Sequence, residues 1–366
     1  MGTPARQPAL GVAGITLVIP VVVALGVGLG GAEHSLVVLG PISAFSLPVI
    51  AMIAFWWNDW PGTLLRAPLA GLLNTLLVVV GGVLFTIAGQ AIVAHVDLRG
   101  IFDPTSGAVH APTFPATMPL AAAIFAAVLE LTLVSEGWPL RGVDRFAGGV
   151  AALAAAWGIG VLLFETLVAD AGGPVPPGEF GSALICVAVL QVTFYVVFRG
   201  WPFNQIAPRG LRLASANLAV VAGGLGIYAA LHRAVGLAPP TISAVMGAAV
   251  AAGLVIGMLF EGWLDSSLAP ASARVVNLIG VALGTVVLYL GLKAYAHANG
   301  WTRTEPEDWI SYAGLNAIGI AVILHVGIGR RWPFGTGQPK QSTDMHACSR
   351  PPVTAAHDPA ARSPSL

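Results

Sequence analysis

Long apolar runs separated by short polar breaks fill the chain from about residue 10 to residue 330. A helix that crosses a bilayer needs about 20 mostly apolar residues. Runs of that kind lie at roughly 10–31, 36–57, 68–96, 119–135, 147–170, 181–198, 214–235, 241–261, 274–298 and 309–328. The pattern predicts about ten transmembrane helices, of which 119–135 is the shortest. Arg6 precedes the first run in the manner of a secretory signal, but the run is longer than a 7–15-residue signal core, so it reads as a span. The apolar pattern stops before 338–366, a stretch rich in Pro, Ala, Ser and Thr that reads as a disordered cytoplasmic tail.

Composition agrees with this reading. Of 366 residues, 56% are hydrophobic and 9% charged, where a soluble domain carries about 25% charged residues. That excludes a water-soluble enzyme, a disordered protein and a nucleic-acid binder. Seventeen basic residues balance seventeen acidic ones, so no global field implies a charged partner. Cys186 and Cys348 are the only cysteines, too few for a disulfide framework or a paired-cysteine metal site.

A short motif recurs at the end of every even-numbered run: Asn58-Asp59-Trp60-Pro61, Glu136-Gly137-Trp138-Pro139, Arg199-Gly200-Trp201-Pro202, Glu261-Gly262-Trp263-Leu264 and Arg330-Arg331-Trp332-Pro333. Small-residue patches follow in the next run, at Gly81-Gly82, Gly158/Gly160, Gly223-Gly224 and Gly284. An indole favours the headgroup layer, and a proline after it stops the helix. The expected architecture is an all-α integral membrane protein of five tandem helical hairpins, roughly 10–61, 68–139, 147–202, 214–264 and 274–333. Together they form one transmembrane domain over 1–337.

Two spans separate successive motifs, so all five turns fall on one side with both termini. That side carries thirteen Lys and Arg residues and the other side four: Arg99, Arg233, Lys293 and Arg303. Basic residues favour the cytoplasmic side. This places the Trp-Pro turns and both termini in the cytoplasm, with the protein in the plasma membrane.

No phosphate-binding loop, zinc-protease helix, nucleophile elbow or dinucleotide fingerprint occurs, so the reading leans away from an enzyme. Two constellations remain. Glu130, Glu165, Gln191 and His325 lie inside apolar runs, where a polar group is costly and normally faces an interior partner. They are the candidates for a polar transport path between hairpins. His34, His95, Asp170, His232 and His297 fall near the outer ends of odd runs, where imidazole and carboxylate suit a metal ion or haem. The leading expectation is a small-solute or ion transporter or channel in the lipid bilayer. The alternatives are a metal- or haem-binding membrane subunit of a redox system, or a scaffold without a site.

Overall fold

The computed structural model describes residues 7–28, 30–103, 113–261, 263, 268–302 and 304–334. The tail at 338–366 and His110 lie outside the described residues. Among those described, nine helices are long and apolar enough to cross a membrane: α1 (Ala9–Gly26), α2 (Ala32–Trp56), α3 (Pro68–Val93), α5 (Arg145–Leu167), α6 (Pro177–Val197), α7 (Arg209–Ala234), α8 (Pro239–Leu259), α9 (Pro270–His297) and α10 (Pro306–Ile328). The shorter apolar helix Met118–Val134 is α4, in the place where the sequence predicts the shortest span. No strand occurs among the described residues. The chain is a helical, multi-pass membrane protein.

The even helices form an inner ring. In chain order α2 packs on α4, α4 on α6, α6 on α8 and α8 on α10, and α10 returns to α2. The odd helices lie outside them. Burial separates the two sets. Within the apolar window, 78% of α2, 83% of α10 and 50% of α6 and α8 are buried, against 11–28% of each odd helix.

Each outer helix packs on the inner helix that precedes it in the chain: α3 on α2, α5 on α4, α7 on α6 and α9 on α8. The first helix, α1, packs on the last, α10, and completes the outer ring. The packed pair therefore differs from the hairpin units expected above. The first four motif turns sit in the middle of a packed pair rather than at its end, and the fifth follows α10, whose outer partner is α1. The link from an odd helix to the next even one carries the chain inward to the neighbouring position of the ring.

The small-residue patches mark where the rings touch. Gly82 faces Ser46 and the Ile42 carbonyl, Gly160 faces Ile124, Gly224 faces Val187 and Gly284 faces Ala252. A Cβ at Gly160 would stand 2.5 Å from Ile124 Cγ1 and 3.0 Å from the Ile124 backbone nitrogen. A Cβ at Gly224 would stand 2.6 Å from the Val187 Cα. Small residues let helix backbones approach where side-chain hydrophobicity gives no driving force, because the surrounding lipid is equally apolar.

The five inner helices end alike. A five-residue π-helical segment closes each one, at Met52–Trp56, Glu130–Val134, Thr193–Val197, Val255–Leu259 and Leu324–Ile328, and each segment stops four residues before the motif Trp. Left-handed residues follow: Asn58 and Asp59, Glu136 and Gly137, Arg199 and Gly200, Glu261, and Arg330 and Arg331. In four turns a backbone N–H reaches six residues back, as from Gly137 to the Leu131 carbonyl and from Arg331 to the His325 carbonyl, both 2.9 Å. These bonds occupy carbonyls that a helix end otherwise leaves open, which lipid cannot satisfy.

Charged residues in the turns link them. Arg330 Nε donates to Asp59 Oδ2 at 3.0 Å, joining the fifth turn to the first. Arg331 pairs with Glu261 at 2.9 Å and donates to the Leu259 and Met258 carbonyls at 2.9 and 2.8 Å, joining the fifth turn to the fourth. Arg199 donates to the Glu261 carbonyl, and Arg212 at the start of α7 pairs with Glu136 at 3.0 Å.

Two glycines of α5 test the packing. Gly160→Ala is expected to lower stability by about 1–3 kcal/mol, the usual cost of overpacking. Gly158→Ala, where a Cβ meets nothing within 4 Å, is expected to be neutral or mildly stabilising. Thermal unfolding of the two variants in detergent measures the difference; equal midpoints would refute the assigned contact face of α5.

Candidate functional site

The inner ring encloses an axial lumen, a cavity of about 130 Å³ lined by all five even helices. Counted back from the motif Trp of each helix, the lining falls into rings of five. Nine residues before it lie Ala51, Leu129, Val192, Leu254 and Ile323. Thirteen before it lie Leu47, Phe125, Ala188, Val250 and Gly319, and sixteen before it Ala44, Ala122, Ile185, Gly247 and Asn316. Phe55, Leu133, Val196 and Met258 form a bulkier ring nearest the Trp-Pro end, five residues before the Trp. A step of three or four residues is one helical turn, so one face of every inner helix looks down the axis.

Polar lining groups gather at the opposite end and carry no charge. They are Ser243, Ser311, Tyr312 and Asn316. Ser243 Oγ is 2.9 Å from Ser182 Oγ, and Ser311 Oγ donates to the Glu307 carbonyl at 3.1 Å. Tyr312 sits on α10, yet a Cβ built on Gly181 of α6 would be 3.6 Å from its hydroxyl. Since α8 stands between α10 and α6 in the ring, this side chain reaches across the lumen. Phe114 packs edge-on against the Tyr312 ring, with centroids 5.7 Å apart.

The four intramembrane polar candidates do not line this lumen. Two of them meet in the seam between α4 and α6. Gln191 Nε2 donates to Glu130 Oε2 at 2.7 Å and to the Ala126 carbonyl at 3.1 Å. Glu130 Oε1 and Gln191 Oε1 are buried without a hydrogen-bond partner among the described residues. His325 lies elsewhere, in the last turn of α10 against α1, where a Cβ on Gly14 would come within 2.9 Å of its Nε2. Glu165 is exposed on the outer helix α5.

The outer-end candidates are dispersed because each belongs to a different helix or link, His34 to the inner helix α2 and the others to the outer helices or the links that follow them. His34 is half-buried at the start of α2, His95 is exposed after α3 and Asp170 is exposed after α5. The His232 ring stacks on Tyr228 at 5.5 Å, with Nδ1 3.0 Å from the Leu237 carbonyl oxygen. His297 ends α9 with Nε2 3.4 Å from Glu307 Oε1. Among the described residues, no three His, Cys, Asp or Glu side chains gather closely enough to hold a metal ion.

At the motif turns, Trp60, Trp138, Trp263 and Trp332 are exposed, as an interfacial indole would be. Trp201 is half-buried beneath the Arg274 guanidinium, 4.5 Å from its ring centre. Pro61, Pro139, Pro202 and Pro333 follow their Trp through cis bonds. Compared with protein-family models, curated proteins and solved structures, the chain matches none.

Sequence reasoning passed over Tyr312 and Asn316. A signal existed: aligned on the motif Trp, the ring sixteen residues back is apolar or Gly in four helices and Asn in the fifth.

The seam between α4 and α6 gives a direct test. Gln191→Leu removes the hydrogen bond to the Ala126 carbonyl and the one to Glu130 Oε2, and about 1–3 kcal/mol of stability should go with them. Adding Glu130→Leu should recover part of that loss, because removing both partners of a buried pair costs less than removing one. A double-mutant cycle by thermal unfolding reads the coupling; purely additive effects would show that the two side chains do not depend on each other.

Proposed function

We propose that the protein is a small-solute transporter or channel whose path is the axial lumen, and that its solute is uncharged. The observation that supports this is the lining: rings of apolar side chains from five helices, with four uncharged polar residues at one end. An ion in the bilayer interior needs polar or charged groups to replace its hydration shell. The lumen offers no charged group along its length. Apolar cavities of ~150 Å³ stay dry and accept small apolar molecules, so a lumen of similar size suits a compact solute with a substantial carbon surface.

Permeability tests the proposal. Proteoliposomes are exposed to osmotic gradients of urea, glycerol or propane-1,2-diol and followed by light scattering. The wild type should pass at least one solute faster than empty liposomes, without accompanying Na⁺ or K⁺ flux. Gly319→Phe, which places a ring among Leu47, Phe125, Ala188 and Val250, should abolish the gain while the protein stays folded. Equal permeability for wild type and variant, or an ion flux that the variant leaves intact, would overturn the proposal.

The orientation is part of the same reading. The thirteen-to-four basic asymmetry supports a cytoplasmic Trp-Pro end and an outward-facing Tyr312 end. In a variant lacking Cys186 and Cys348, an impermeant thiol reagent added to intact cells should label a cysteine at position 110 and miss one at position 140. Labelling at 140 alone would invert the assignment.

A further inference from the structure

We infer that Tyr312 and Asn316 form a recognition pair for a hydroxyl group, so that the lumen selects short uncharged amphiphiles with an alcohol at the Tyr312 end. The inference rests on the lumen being the solute site, as proposed above, and adds the chemistry of the solute.

Tyr312 and Asn316 are four residues apart on α10, hence on one face of the helix, and both line the lumen. Asn316 Nδ2 donates to the Tyr312 carbonyl at 2.9 Å, which fixes the side-chain amide. Its Oδ1 has no donor among the described residues. The Tyr312 hydroxyl, which reaches toward Gly181, likewise has no hydrogen-bond partner among them. The two lumen serines differ, because both hydroxyls are already engaged with protein groups. One acceptor and one hydroxyl thus remain unused in a lumen that is otherwise apolar.

An alcohol complements this pair. Its O–H can donate to Asn316 Oδ1, or its oxygen can accept from the Tyr312 O–H on the far side of the lumen, while the alkyl part lies against Leu47, Phe125 and Val250 further down the axis. A carboxylate has no proton to give Asn316 and meets no cation in the lumen. A plain alkane fills the apolar rings but leaves both polar groups unpaired, at the usual penalty for buried donors and acceptors.

The test uses the full chain in maltoside micelles, with 1-hexanol, hexane and hexanoate as probes. Binding is read from the shift of the thermal midpoint with probe concentration. The lumen-blocking Gly319→Phe variant is the control for partitioning of each probe into detergent. The wild type should bind hexanol roughly tenfold more tightly than hexane, and its response to hexanoate should match that of Gly319→Phe. Asn316→Leu and Tyr312→Phe should each bring the ratio of hexanol to hexane affinity toward one, while hexane binding persists. A ratio unchanged in both variants would overturn the recognition pair and leave the lumen as a solute site. Responses to all three probes that match those of Gly319→Phe would overturn the lumen reading itself. Hexanoate binding equal to hexanol binding would refute selection for an uncharged head.

Discussion

In lipid, an apolar side chain gains nothing by leaving acyl chains for another helix, so this bundle depends on close backbone approach. The contacts of Gly82, Gly160, Gly224 and Gly284 with the inner helices are that approach, repeated in four packed pairs. Each brings an outer helix close enough for dispersion contacts along its length. With the outer helices seated, the five even helices pack around a common axis and the lumen follows. The same outer helices shield the inner ring from lipid, as their low share of buried residues reflects.

The turns complete what the glycines begin. A helix ending near the membrane surface must satisfy its last carbonyls, and the π-helical segments do so in all five repeats, with the wider turn bond added in four. Two of the turns carry a charged residue where others use glycine. Asp59 and Arg331 hold left-handed backbone at φ 63° and 61°, where Gly137 and Gly200 serve in the second and third turns. Left-handed backbone costs a non-glycine residue roughly 1–2 kcal/mol. Here Arg331 offsets that cost with Glu261 and two carbonyls at the end of α8, a favourable place for a cation. Asp59 does so with Arg330. These are the turns that bring the last repeat against its neighbours on either side, where no covalent link from the fifth to the first turn closes the circle.

The chemistry of the interior follows from which face of each inner helix points where. Glu130 and Gln191 occupy a seam between helices, where a polar pair joins α4 to α6. Tyr312 and Asn316 occupy the lumen, where a polar pair faces open space. The first arrangement ties the ring together, and the second is the basis for the proposed recognition of a hydroxyl group. An apolar, uncharged lumen with polarity at one end is a poor path for an ion and a suitable one for a compact solute with a single polar group.

Read alone, the sequence determined the class of protein, the order of the apolar helices, the shortness of the fourth and the recurrence of the turns. Each of these depends on residues close together in the chain: run length, a Trp after a helix, a glycine patch at a fixed distance. It left open which face of each helix is inward, because lipid and protein interior are equally apolar and every span reads as hydrophobic all round. For that reason Glu165 and His325 looked equivalent in sequence to Glu130, although one lies exposed on the outer ring and another packs against α1. For the same reason five outer-end groups, from His34 to His297, looked able to converge. Only the tertiary structure decided that odd helices lie outside and even helices inside, that α1 seats on α10, and that Asn316 faces the axis. Those outcomes depend on steric fit between residues far apart in the chain, such as Gly160 with Ile124 and Arg330 with Asp59, which no local pattern records.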